Sequence, residues 1–265
     1  MSEIGQREIK TQQHVIEFFT DELDYEYLGN WKDRDGNSNV EESRLTGWLK
    51  IQGHDEKIID KVLRDLDKAQ TISGSRTLYD ANREVYSLLR YGVKVRPDVG
   101  EQHTTVWLID WENPGANNFA VAEEVTITSV HNKRPDLVLY VNGIALGVLE
   151  LKRSTISVTE GIRQNLDNQK KDFIRHFFST IQLVMAGNDT EGLRYGVIET
   201  PEKYWLEWKE ESQIENPLDR ALQQLCRKER LLEIVHDFIV FDAGIKKICR
   251  HNQYLGMRAA QEHVK

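Results

Sequence analysis

Residues 134–152, RPDLVLYVNGIALGVLELK, limit what this chain can become more than any other stretch. Two apolar runs flank Asn142-Gly143, a pair that accepts the positive φ angles of a tight hairpin turn. Strand side chains alternate between faces, so Glu150 and Lys152 point the same way if the second run is extended. Register decides whether Asp136 joins them. A plain two-residue turn pairs Val141 with Ile144 and sets Asp136 opposite Leu149, on the wrong face. A three-residue loop, Val141-Asn142-Gly143 with Gly143 left-handed, shifts the pairing by one. Asp136 then lies opposite Val148 and diagonal to Glu150, about 7 Å away by cross-strand spacing. The same register sends Leu137, Leu139, Leu149 and Leu151 to the other face as core. A bulge at Gly147 is a second route to the same grouping.

Two carboxylates meeting in a half-buried place repel each other, and a hard divalent cation relieves that repulsion with oxygen ligands. Mg²⁺ fits best, because it takes one or two carboxylates and several waters; the Leu151 carbonyl can complete the set. Metal: Asp136 and Glu150. Beside them, Lys152 can orient a metal-bound water or stabilise charge on a phosphate. This is equipment for phosphodiester hydrolysis. The triplet alone weighs little, since Glu8-Ile9-Lys10, Asp55-Glu56-Lys57, Glu207-Trp208-Lys209 and Pro97-Asp98 repeat its parts. None of these joins a Pro-Asp to an acid-x-Lys through two apolar runs and a turn.

Pro135-Asp136 followed by Glu150-Leu151-Lys152 resembles the PD-(D/E)XK nuclease motif. Together with residues 82–92 (NREVYSLLRYG), 106–119 (VWLIDWENPGANNF), 122–126 (AEEVT), 161–169 (GIRQNLDNQ), 181–188 (IQLVMAGN) and 195–209, the hairpin resembles the amino-terminal nuclease domain of the R subunit of type I restriction-modification enzymes. The likeness covers most of the chain, in order. It implies a restriction-endonuclease-like α/β core, a mixed β-sheet flanked by helices, that cuts double-stranded DNA with Mg²⁺. It also implies modification and specificity subunits as partners, with cleavage coupled to ATP-driven translocation in the full-length subunit. That family carries a Gln-x-x-x-Tyr pattern on the helix after the Lys. Gln164 matches the Gln and is carried over as a site residue, whereas Asn168 stands where Tyr is expected.

The formal net charge of −8 argues against a free-standing, tight, nonspecific DNA binder. DNA contact must therefore use a local basic patch or rely on partner subunits, with the second expected to dominate. With 39% hydrophobic and 29% charged residues, the chain has an ordinary globular composition. It contains no apolar run near the ~20 residues that span a bilayer, and MSEIGQREIK lacks a signal peptide's apolar stretch, so a cytoplasmic location is expected. Cys226 and Cys249 lack metal-ligand spacing and suggest no disulfide framework.

Apolar spacing predicts helices over 11–23, two within 45–69, one over 78–90 stopped by Gly92, and helical character over 159–178. Residues 93–95, 104–110 and 119–128 read as strands, as do 181–185 and 193–198. The order implies an α/β sandwich around a mixed sheet. Glu17 and Glu22 on the first helix, and Glu123 and Glu124 ahead of the hairpin, are candidates for an extra carboxylate, weighed against solvated surface acids. On a continuous helix Gln164, Lys171 and Arg175 form one stripe beside the site, with Lys170 adjacent, as candidate phosphate contacts. Tyr204, Trp205 and Trp208 suggest base stacking, but the acidic stretch after them favours packing.

The polar stretch ending at Pro217 suggests a boundary, with a nuclease domain over 1–215 and a helical lead-in to a truncated helicase-like motor over 216–265. By resemblance, Gln253 matches the glutamine that recognises adenine ahead of a motor's phosphate loop. No G-x-x-x-x-G-K-[ST] occurs, so the sequence reads as an amino-terminal fragment unable to hydrolyse ATP. The competing reading is a noncatalytic docking module that keeps a nuclease-like fold between motor and partners. A repair or recombination nuclease acting alone is disfavoured by the acidic charge.

Overall fold

A hairpin that is apolar on both sides must be covered on both sides, and this requirement organises the molecule. The computed structural model describes residues 3–97, 100 and 102–264, so Asp98 of the Pro97-Asp98 pair lies outside the described residues. In chain order the elements are α1 (Glu3–Glu17), β1 (Glu26–Asn30), α2 (Glu42–Ile51), α3 (Glu56–Gln70), α4 (Leu78–Tyr91), β2 (Val93–Val95), β3 (Thr104–Val106) and β4 (Phe119–Glu123). The hairpin follows as β5 (Leu137–Val141) and β6 (Ile144–Leu151), then α5 (Val158–Asn168), β7 (Leu183–Asn188) and β8 (Gly192–Gly196). The chain continues through α6 (Pro217–Cys226), α7 (Lys228–Asp237), β9 (Ile239–Asp242), β10 (Ile245–Ile248) and α8 (His251–Val264).

Six strands form one mixed sheet in the order β1-β4-β5-β6-β7-β8. β1 runs parallel to β4 and β6 parallel to β7, while the other neighbours are antiparallel. Every residue of β5 and β6 is buried. Val15, Leu45, Leu49, Val85 and Leu89 from the helices pack with Leu137, Leu139, Val141, Leu149 and Leu151 on one face. On the other, Val158 and Ile162 of α5 meet Val138, Tyr140 and Val148, together with Phe177 and Phe178. Leu218, Leu222, Leu225, Leu231 and Tyr254 belong to the first cluster, so α6 to α8 pack onto the same core as the sheet. Among the described residues no helix is long and apolar enough to cross a membrane.

The hairpin takes the second of the two expected routes, a bulge beside Gly147, and not the three-residue loop. Val141 pairs with Ile144, so the turn has two residues, Asn142 (φ 52°) and Gly143 (φ 83°), rather than the three-residue loop. A bulge between Leu139 and Tyr140 in the pairing then takes up one extra residue on β6, next to Gly147, and Leu137 ends opposite Leu149. Its effect shows in the faces: Ile144 and Leu146 lie in the same cluster as Leu149 and Leu151, which strict alternation forbids. A Cβ at residue 147 would come within 3.1 Å of the Leu139 side chain, so a larger residue crowds the bulge.

The tight turn wins because it is anchored from outside. Buried Asn142 donates to Leu108 O at 3.0 Å and to Asn117 Oδ1 at 2.8 Å, and accepts from Asn118 N at 2.8 Å. The start of α2 sits directly on Gly143, where a Cβ would meet Glu41 O at 2.8 Å and Leu45 N at 2.9 Å. Helix α5 is shorter than the pattern over 159–178 suggests, ending at Asn168. Gln169 folds back to donate to Asn165 O and accepts from Glu199 N at 2.6 Å, fixing the turn that leaves the helix. Lys171 and Arg175 therefore do not continue a helical stripe from Gln164.

Gly143→Ala tests the anchored turn. The left-handed backbone alone costs roughly 1–2 kcal/mol in a non-glycine residue, and the contacts with α2 add to it. Denaturant unfolding is expected to show at least that loss. A change below about 0.5 kcal/mol contradicts the turn's role.

Candidate active site

Because Leu137 faces Leu149, the preceding residue Asp136 comes level with Glu150 across the two strands, closer than the diagonal placement that a three-residue loop would give. Asp136 accepts a hydrogen bond from Leu151 N at 2.7 Å, which ties the start of β5 to the end of β6. The Lys152 ammonium lies 4.0 Å from the Asp136 carboxylate and donates to Leu151 O at 2.9 Å. Asp136 and Lys152 retain side-chain exposures of 17% and 13%, so the site opens to solvent through them, whereas Glu150 is fully buried. The structure thus gathers Asp136, Glu150 and Lys152 on one face.

Helix α5 closes the inner side. Gly161 allows its approach: a Cβ there would sit 3.1 Å from Ala186 and 3.5 Å from the Lys152 side chain. One and two turns further along the same face, Gln164 donates to Glu150 Oε2 at 2.6 Å and Asn168 donates to Glu150 Oε1 at 2.9 Å. Asn168 is buried, and its own Oδ1 has no partner. Each amide bond to a charged carboxylate is worth roughly 1.5–3 kcal/mol. Stripping a carboxylate of water costs several kcal/mol, so two amides do not offset both that and a neighbouring negative charge. Burial first, then the Asp136 charge, accordingly push the Glu150 carboxyl well above the ordinary carboxylate range, opposed by Lys152. The Asp136 and Glu150 side chains are within hydrogen-bonding reach of each other.

The remaining acids separate by strand parity. Glu123 pairs with Leu137 and so lies on the opposite face, where it accepts from Gln12 and Tyr27 at 2.7 Å and Asn30 at 3.0 Å. Glu124 leaves the strand with φ 53°, bonds its N–H to Asp136 O and forms an ion pair with Arg134. Its charge is also felt at Glu150, so it borders the site. Glu17 and Glu22 are exposed on the other side of the sheet, Glu17 bonding to Gln13 at 3.1 Å. Among the described residues there is no cluster of three or more His, Cys, Asp or Glu side chains able to hold a metal. A cation here would have two carboxylates and the Leu151 carbonyl from the protein, which suits an ion that keeps several waters. A cleft of about 980 Å³ lined by Trp48, Trp107, Trp111 and Tyr254 lies elsewhere and includes none of these residues.

Residues 5–203 match the family described as the type I restriction enzyme R protein N terminus. The chain belongs to this family. It is 28% identical over 225 residues to the type I restriction enzyme HindI endonuclease subunit of Haemophilus influenzae, covering 77% of this chain and 21% of that protein. It is 27% identical to the putative type I restriction enzyme MjaIXP endonuclease subunit of Methanocaldococcus jannaschii, covering 68% and 20%. A type I restriction enzyme endonuclease subunit of Staphylococcus saprophyticus is 22% identical, covering 76% and 21%. The chain spans about a fifth of the length of these curated relatives.

In this R-protein amino-terminal segment, Asn168 occupies the place where the resemblance calls for Tyr, and it bonds directly to Glu150. Its spacing from Gln164, four residues along a helix, was the available signal. Arg175 pairs with Glu199 at 3.0 Å and Lys170 with Asp167 at 2.5 Å. Trp205 and Trp208 are buried and serve packing, whereas Tyr204 is exposed. Gln253 lies in the first turn of α8 and accepts from Arg250 N at 2.9 Å, away from the carboxylates. Both cysteines are free and buried.

Glu150→Gln reads out the buried carboxyl. A folded-state pKa above the ordinary 4.5 means that ionisation costs stability. The cost is absent below about pH 4 and grows as pH rises towards the folded value. In EDTA the variant is expected to melt above the wild type at pH 8 and level with it near pH 4. Lower stability of the variant at pH 8 contradicts the assignment.

Proposed function

We propose that this chain is a PD-(D/E)XK nuclease module that cuts double-stranded DNA with Mg²⁺ as part of an ATP-dependent type I restriction enzyme. The observation that carries this reading is the placement of Asp136 level with Glu150, with the Lys152 ammonium 4.0 Å from Asp136. Membership of the R-protein family and the names of the relatives support a role in restriction. The partners in this reading are the modification and specificity subunits, which recognise the target sequence, and ATP acts only in the full-length subunit.

The donor set suits a hard cation. Asp136, Glu150 and the Leu151 carbonyl would hold Mg²⁺, and the unfavourable ionisation of Glu150 is the state that such a cation relieves. Once bound, the ion supplies positive charge to the scissile phosphate and acidifies a water. The rest of the work falls to the chain. Asp136 holds the end of β6 through Leu151 N and keeps one carboxylate at the solvent edge. Lys152, anchored on Leu151 O with its ammonium 4.0 Å from Asp136, would orient an attacking water or stabilise charge on a phosphate oxygen. Gln164 and Asn168 fix both oxygens of Glu150, so the buried carboxylate has one orientation. Cleavage without base-specific contacts suits an enzyme whose target is read by another subunit.

In the enzyme assembled with its partner subunits, Asp136→Ala and Lys152→Ala are each expected to lower plasmid cleavage at least about 100-fold, with ATPase activity unchanged. Undiminished cleavage in both variants, with ATPase intact, would favour a noncatalytic docking module.

A further inference from the structure

An acidic chain that handles DNA must present a local positive surface, and the cations around the site divide into those a carboxylate already neutralises and those it does not. Arg134 pairs with Glu124, Arg163 with Glu160 and Glu202, Lys170 with Asp167, and Arg175 with Glu199. Each of these cations sits beside an acid that repels a phosphate as strongly as the cation attracts it. Lys133, Arg153 and Lys171 differ, since among the described residues none of the three forms an ion pair.

These three side chains come from three segments that leave the site. Lys133 precedes Asp136 by three residues and is held by reciprocal backbone bonds with Ile127. Arg153 directly follows Lys152. Lys171 lies just beyond the helix that carries Gln164 and Asn168. The first and third segments are fastened together. His131 N donates to Asp172 O at 3.2 Å, Ser129 Oγ donates to Phe173 O at 2.5 Å, and the Lys133 ammonium lies 4.3 Å from the centre of the Phe173 ring. Lys133 and Lys171 therefore stand on mutually braced segments rather than on independent loops.

We propose that Lys133, Arg153 and Lys171 form the track that holds the phosphate backbone of duplex DNA against the Asp136–Glu150 site. This rests on the nuclease reading and deepens it by assigning the substrate contacts. It also separates Lys171 from Arg175 and Lys170, whose charges are already spent within the fold. Three ammonium or guanidinium groups supply nonspecific, salt-sensitive contacts and no base readout, as an enzyme guided by a separate specificity subunit requires.

The test is the salt dependence of binding of a labelled 30-base-pair duplex to this chain, with Ca²⁺ in place of Mg²⁺. Each of Lys133→Ala, Arg153→Ala and Lys171→Ala is expected to reduce the slope of log K against log salt by about 0.9. The charge-neutral double variant Arg175→Ala/Glu199→Gln is expected to leave it unchanged, as is Lys68→Ala on α3. Absence of binding at low salt, or three unchanged slopes, overturns the track. Failure of the nuclease reading looks different: the slopes fall as expected, but Asp136→Ala in the assembled enzyme still cleaves.

Discussion

A carboxylate with no access to water is the constraint on which the rest of this molecule depends. Glu150 is buried near the end of β6, an inner strand of the sheet, with an amide on each oxygen and a second carboxyl opposite it. Such a group is tolerated only where its surroundings are over-determined, and several otherwise unrelated features serve that end. The turn at Asn142-Gly143 is fixed by buried amides and by α2, the bulge beside Gly147 rotates the end of β6, and Gly161 lets α5 descend far enough for Gln164 and Asn168 to reach. Without the bulge, Glu150 would face the side of Leu149 and Leu151's neighbours across the sheet, and Asp136 would have no partner.

The site is therefore poised rather than at rest. Its amide donors orient Glu150 but do not outweigh desolvation and the charge of Asp136, so the carboxyl holds its proton more tightly than in water. Under the proposed function, a divalent cation would reverse that balance. In this view the burial that weakens the metal-free protein is what makes two carboxylates and a carbonyl sufficient for an ion that keeps part of its water shell.

Much of this could be read from the sequence because it follows from period and residue type. The apolar runs, the Asn-Gly turn and the spacing from Asp136 to Lys152 locate the hairpin and nominate its polar face. What could not be read depends on partners distant in the chain. Nothing local decides between a three-residue loop and a tight turn with a bulge; contacts with Leu108, Asn117 and the start of α2 do. The end of α5 is set by Gln169 reaching Glu199, thirty residues on, and without that bond the sequence does not distinguish Lys171 from Arg175. Glu123 and Glu124, adjacent in sequence, part company because one obeys strand alternation and the other has a positive φ. Asn168 could be placed on the correct helix but not assigned a task, since a short amide in place of a phenol is informative only once its distance to Glu150 is known.

The most direct measurement is the anomalous diffraction of crystals of this chain soaked in Mn²⁺. A peak is expected between the carboxyl groups of Asp136 and Glu150, about 2.2 Å from an oxygen of each, with Asn168 and Gln164 still bonded to Glu150. A crystal with Mn²⁺ bound elsewhere and none between these two side chains would contradict it.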